Sequence, residues 1–140
     1  MDTCLRFTRG SFMHQFTTLD FANAWTHAWN SRDLPAILAH YDDDCVLHTP
    51  VAKWLAPGSE GVLVGKSAMA AYWARALQRP GEWQFALTHV HTGVNSVAMS
   101  YEGPLGAVTE FCVFNAHNLV CQAHVMYDPD RLLALFSRSP

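Results

Sequence analysis

Between Phe21 and Pro50 the chain reads FANAWTHAWNSRDLPAILAHYDDDCVLHTP, and the spacing of its apolar residues leaves little freedom in how it folds. Phe21, Ala22, Trp25, Ala28 and Trp29 recur at the i, i+3, i+4, i+7, i+8 interval that lines one face of an α-helix, so the segment predicts an amphipathic helix with one buried stripe. Thr17 and Asp20 supply a start signal and Asn30-Ser31 an end. Asp33 is placed to cap a second, shorter helix, with Pro35 in a first-turn position that needs no N–H. Ile37, Leu38 and Tyr41 form its expected buried side. The run Asp42-Asp43-Asp44 lacks the alternate spacing of a calcium loop and is expected to be a solvated turn. Cys45 to Thr49 then reads as a strand stopped by Pro50.

Downstream, residues 51–64 mix Pro57, Gly58 and Gly61 with Trp54 and Leu55, which predicts a long loop with an apolar tip. Gly65-Lys66-Ser67 opens a third helix striped by Met69, Tyr72, Trp73, Ala76 and Leu77, and Pro80-Gly81 ends it. From Trp83 the period changes from 3.6 to 2. Strands are expected from Trp83 to His91, Val94 to Tyr101, Ala107 to Phe114 and Leu119 to Tyr127, with a short terminal helix over Leu132–Phe136. Helix, helix, strand, helix and four antiparallel strands make an α+β domain with its helices on one face of a curved sheet.

The chain's 140 residues suit one domain, and half of them are apolar, enough to bury a core. The segment before His14 has no periodic pattern and is expected to be a loose tail on a domain spanning 14–140. A formal charge of −3 with no basic cluster argues against nucleic acid as a partner. No run approaches membrane-spanning length, so a cytoplasmic protein is expected. Cys4, Cys45, Cys112 and Cys121 show no C-x-x-C spacing and read as reduced core thiols.

The pattern Trp25-x3-Trp29-Asn30-x-Arg32-Asp33-Leu34-x-Ala36-Ile37-Leu38-x-x-Tyr41-x-Asp43-Asp44, with the later Gly65-Lys66-x-x-Met69, resembles the nuclear transport factor 2-like superfamily over about residues 15 to 127, nearest to its SnoaL-like and ketosteroid-isomerase-like bacterial branch. The resemblance implies a cone: a sheet curled around the long helix, with an apolar pocket open at one end. In ketosteroid isomerases an Asp base removes a proton beside a carbonyl, while a Tyr and a neutral Asp stabilise the oxyanion. By the same resemblance the Tyr position falls on Trp25, the base on Thr49, the oxyanion acid on Glu110 and a pocket Trp on Tyr127. Thr cannot serve as that base, so steroid isomerisation is not expected. The fold alone does not choose among isomerases, cyclases, hydrolases and binding modules.

Glu110 is the single acid in the run Ala107–Phe114, and strand alternation groups it with Val108, Cys112 and Phe114. Histidine has the free pKa suited to proton transfer near neutrality, so His48 and His124 are the candidate catalytic partners of Glu110, although alternation turns His48 away from the pocket and sets His124 out of phase with Tyr127. His89 and His91 share a strand face but have no third ligand, so neither a metal nor another cofactor is expected. Trp25, Thr49, Trp54, Tyr72, Cys112 and Tyr127 are the candidate ligand-binding residues, Trp54 at a lid or dimer contact. A homodimer through the outer sheet face is the expected assembly. Two readings stay open: cofactor-free acid–base chemistry on a small hydrophobic carbonyl, polyketide-like or terpenoid compound, and a non-catalytic ligand-binding or dimeric interaction module.

Overall fold

A computed structural model describes residues 16–138; the expected N-terminal tail lies outside the described residues. The first helix, α1 (Thr18–Asn30), begins where Thr17 accepts a hydrogen bond from the Asp20 N–H at 3.1 Å. It buries the five residues its spacing selects, Phe21, Ala22, Trp25, Ala28 and Trp29. Arg32, at φ 57°, reverses the chain, and Asp33 accepts from the Ala36 N–H to start α2 (Leu34–Leu38).

Tyr41 is not the end of α2 but the first residue of β1 (Tyr41–His48), and the three aspartates lie within that strand rather than in a turn. The strand stays in the sheet because it bulges between Tyr41 and Val46. At the bulge Asp42 accepts from the Asn115 side chain and from the Asp44 N–H, while Asp43 pairs with Lys66 at 3.5 Å. The expected loop over 51–64 is also more ordered than its composition suggests, holding α3 (Ala52–Leu55) and an edge strand β2 (Val62–Val64) that pairs with β1. The third expected helix is α4 (Lys66–Leu77), the fourth in the chain.

Four strands follow, β3 (Ala86–Gly93), β4 (Ser96–Gly103), β5 (Gly106–Phe114) and β6 (Val120–Tyr127), and the chain closes with α5 (Pro129–Phe136). They form a curved, unclosed six-stranded sheet in the order β2-β1-β6-β5-β4-β3, antiparallel except where β1 runs parallel to β6. β3 starts three residues later than its alternation suggests. Asn30 holds the preceding residues on α1: its carboxamide donates to the Phe85 carbonyl at 3.0 Å and accepts from the Phe85 N–H at 2.7 Å. Arg32 adds a bond to the Trp83 carbonyl at 2.5 Å and stacks on the Trp83 ring. Asn30→Ala should therefore lower unfolding stability by about 2 kcal/mol in urea titration, since both half-buried Phe85 backbone groups lose their partner; a change within error would show that these bonds do not hold the segment.

On β5 the inward residues are Val108, Glu110, Cys112 and Phe114, all buried, while Phe111 points outward and is partly exposed. On β6, Ala123 and Val125 face inward. Register sets Met99 opposite Glu110 and Tyr101 opposite Val108, so Tyr101 and Glu110 lie diagonally on the inner face. Cys45 and Cys112 are buried free thiols. Cys121 is disulfide-bonded, which corrects the expectation of a reduced thiol at that position. Cys4 lies outside the described residues.

Candidate functional site

The inner face of the sheet, α4 and the α3 segment enclose a cavity of about 320 Å³. At its buried end lies Glu110, whose side chain reaches it from the middle of β5 and is 4% exposed. Two tyrosines hold the carboxyl: Tyr41 donates to Oε2 at 3.3 Å and Tyr101 donates to Oε1 at 3.4 Å. The Tyr41 hydroxyl in turn accepts from the indole N–H of Trp25 at 2.9 Å, which orients its own proton toward Glu110.

Burial pushes the Glu110 carboxyl up to about 7, against the two tyrosine hydrogen bonds, which favour the carboxylate. An acid that would be ionised in water is thus divided between its two forms near neutrality. The surrounding phenols remain protonated, for burial and the nearby Glu110 raise Tyr41 and Tyr101 well above the usual range, and burial pushes Tyr72 up to about 12. Tyr127 rises further for the same reason. Thr49, 2% exposed, sets its hydroxyl 3.5 Å from that of Tyr127.

Of the residues expected to bind a ligand, Thr49, Trp54, Tyr72 and Tyr127 line the cavity. Trp25 and Cys112 do not: both are fully buried behind its wall, where Trp25 acts on Glu110 only through Tyr41. The pairing of Glu110 with a histidine is also not what the structure builds. Among the described residues the cavity is lined by no histidine. His48 and His124 lie across from each other on neighbouring strands, stacked with ring centres 4.1 Å apart and planes within 6°, beside the outward-facing Phe111 and Met126. Strand alternation accounts for this, because Glu110 and His124 have opposite parity about the β5–β6 register, in which Glu110 faces Val125. Burial, together with the His48 neighbour, lowers the His124 pKa. Ring planes this nearly parallel send their nitrogen lone pairs alongside one another, so the pair does not converge on one ion. His89 and His91 stack similarly on exposed β3. Among the described residues no group of three His, Cys, Asp or Glu is placed to hold a metal.

Tyr41 and Tyr101, the two hydrogen-bond donors to Glu110, are the site residues that the sequence alone did not single out. A buried phenol needs a polar partner and a lone acid in an apolar strand needs a donor, so each advertised a need without naming the other. Trp29 is a third: its ring lines the cavity, and its buried indole N–H has no hydrogen-bond partner among the described residues.

The SnoaL-like domain family matches residues 22–119. A SnoaL-like protein of unknown function from Burkholderia thailandensis is 33% identical, with 82% of this chain and 99% of that one covered and a TM-score of 0.75. TerC, co-crystallised with polyporic acid, shares 14% identity over 86% of this chain and 98% of its own, at a TM-score of 0.68. A ketosteroid isomerase assignment from Kribbella flavida is 17% identical over 78% of this chain and 76% of its own, at a TM-score of 0.57. No curated protein matches the chain.

Proposed function

The chain belongs to the SnoaL-like family of the nuclear transport factor 2-like superfamily, and from that premise we propose that its cavity binds a small hydrophobic, carbonyl-bearing compound with which Glu110 exchanges a proton. The observation that carries this reading is a lone carboxyl at the buried end of an aromatic cavity, held by two tyrosines and pushed up to about 7. In its neutral form Glu110 can donate a hydrogen bond to a carbonyl oxygen; in its ionised form it can accept a proton from a carbon acid. Tyr101, which also lines the cavity, stays protonated through that cycle, and its one O–H can turn from Glu110 to the ligand oxygen as a second donor. The unpartnered Trp29 N–H offers a third, which a ligand acceptor would satisfy.

A second reading, ligand binding without chemistry, is favoured by Thr49. At the position where the family's isomerases carry a base it presents a hydroxyl set against Tyr127, and the described lining residues include no histidine and no second carboxyl. One experiment separates the readings. Thermal-shift screening of aromatic and terpenoid ketones against the wild type and Glu110→Gln should find compounds whose affinity for the wild type changes with pH about a midpoint near 7 and for the variant does not. Solvent deuterium entering the bound ketone only in the wild type supports proton exchange, and pH-dependent binding without exchange supports the module. Absence of any stabilising ketone would sink the proposal.

We also propose that the outer sheet face joins two copies of the chain. Val62, Val64, Phe111 and Met126 are exposed there around the stacked His48–His124 pair, a contiguous apolar surface costly to leave in water. Sedimentation equilibrium should give twice the chain mass for the wild type and the chain mass for Phe111→Glu/Met126→Glu. A monomeric wild type would refute the assembly. Among the described residues no helix is long and apolar enough to cross a membrane.

A further inference from the structure

The mouth of the cavity differs from its interior in charge. α4 carries Tyr72 and Trp73 on its cavity side, and its last turn and the residues just after it bring Arg75, Gln78 and Arg79 to the rim beside Trp54 and Trp83. Arg75 in the last turn of α4 and Arg79 two residues beyond its end both line the cavity, so one ligand can meet both guanidinium groups. Arg75 spends one N–H on the Leu55 carbonyl at the end of α3 and keeps its remaining donors. The Arg79 guanidinium makes no hydrogen bond and no ion pair among the described residues; only its backbone is engaged, through the Trp83 indole and the Ala76 carbonyl. The one ion pair among the described residues is between Lys66 and Asp43, at the other end of α4.

Among the described residues the only acid lining the cavity is Glu110, and it lies at the buried end, half neutral near pH 7. Among the described residues, therefore, the two rim arginines pair with no carboxylate, at the open end of an apolar slot. The dipole of α4 favours cations at its C-terminal end, which explains why arginines are tolerated there. It does not supply their missing acceptor, and a planar fork of N–H donors is suited to a carboxylate or an equivalent pair of oxygens.

We propose that the ligand is an amphipathic anion: a flat apolar body between the aromatic walls, a carbonyl or hydroxyl at the inner end against Glu110 and Tyr101, and a carboxylate-type oxygen anion at the outer end held by Arg75 and Arg79. This rests on the cavity being the ligand site, and it adds the polarity of the ligand and the direction in which it enters. A neutral terpenoid or steroid would leave the rim charges unmatched and gain nothing from them.

The test compares biphenyl-4-carboxylate with its methyl ester by calorimetric titration of the full chain at low ionic strength. The two probes share the apolar body and differ in the outer charge. The carboxylate should bind about tenfold more tightly than the ester, a preference of the size one charge-assisted contact gives. That ratio should fall toward one in Arg75→Gln/Arg79→Gln, and added salt should weaken the carboxylate alone. Equal binding of the two probes overturns the anionic ligand and leaves the cavity reading standing. If neither binds, both fall. A preference that persists in the double variant overturns the assignment to these arginines. Because Arg75 and Arg79 are both exposed, the variants should fold, and unchanged circular dichroism verifies this in the same samples.

Discussion

Glu110→Gln is expected to stabilise the protein at about pH 8 while changing it little near pH 4, so that the difference between variant and wild type grows by about 3 kcal/mol across that range. The Glu110 carboxyl titrates at about 7 in the folded chain and at its ordinary value of 4.5 once unfolding returns it to water. Between those values the folded protein holds a proton that the unfolded chain has released. Fewer protons on the unfolded state mean that stability falls as pH rises. The favourable contribution of the neutral carboxyl is complete below 4.5 and is lost as pH rises through about 7. Gln keeps the shape and cannot ionise. Its carbonyl oxygen can accept from Tyr41, whose proton is already directed by Trp25, and its NH2 can donate to the Tyr101 hydroxyl, which is free to turn. Urea midpoints measured at a series of pH values for the two proteins provide the check. Parallel profiles would mean that Glu110 is ionised at no cost in the folded state, and the proton-exchange reading would lose its basis.

The fold was legible because its signals are local and periodic. The α1 stripe named all five buried residues of that helix, and alternation along β5 put Glu110 on the inner face with Val108, Cys112 and Phe114. Alternation gives a face but not a depth. Cys112 shares the inner face with Glu110 yet lies behind the cavity wall, and Trp25 shares the α1 stripe with Trp29 although only Trp29 reaches the cavity. The same parity turned His48 and His124 outward, so the weight given to imidazole chemistry ran against a pattern already visible. Tyr101 was within reach: the β4–β5 hairpin pairs Gly103 with Gly106, and counting back from that turn sets Tyr101 opposite Val108, one diagonal step from Glu110. Tyr41 was not. Its contact with Glu110 spans 69 positions and depends on the parallel pairing of β1 with β6 and on a bulge through three aspartates. Long-range register of that kind leaves no local trace in a sequence.

Tyr41→Phe should reveal that contact more sharply than any change at the cavity surface. The hydroxyl it removes has two roles, accepting from the Trp25 indole at 2.9 Å and donating to Glu110 at 3.3 Å. Trp25 is 1% exposed and Tyr41 wholly buried, so no water replaces the lost acceptor and the indole N–H is stranded. Together with the weakened Glu110 contact this should cost about 3 kcal/mol at neutral pH. The second consequence is directional. A donor to the carboxylate lowers its pKa, so removing Tyr41 should move the midpoint of the pH–stability profile above that of the wild type. Tyr101→Phe should raise the midpoint as well but cost less stability, because no buried donor depends on the Tyr101 hydroxyl. A cycle with Trp25→Phe isolates the stranded indole: the double variant Trp25→Phe/Tyr41→Phe should lose less than the sum of the two single losses, since the indole N–H is stranded in only one of them, while the raised midpoint should remain. A Tyr41→Phe protein with wild-type stability and midpoint would show that Glu110 is not governed by the Trp25–Tyr41 relay.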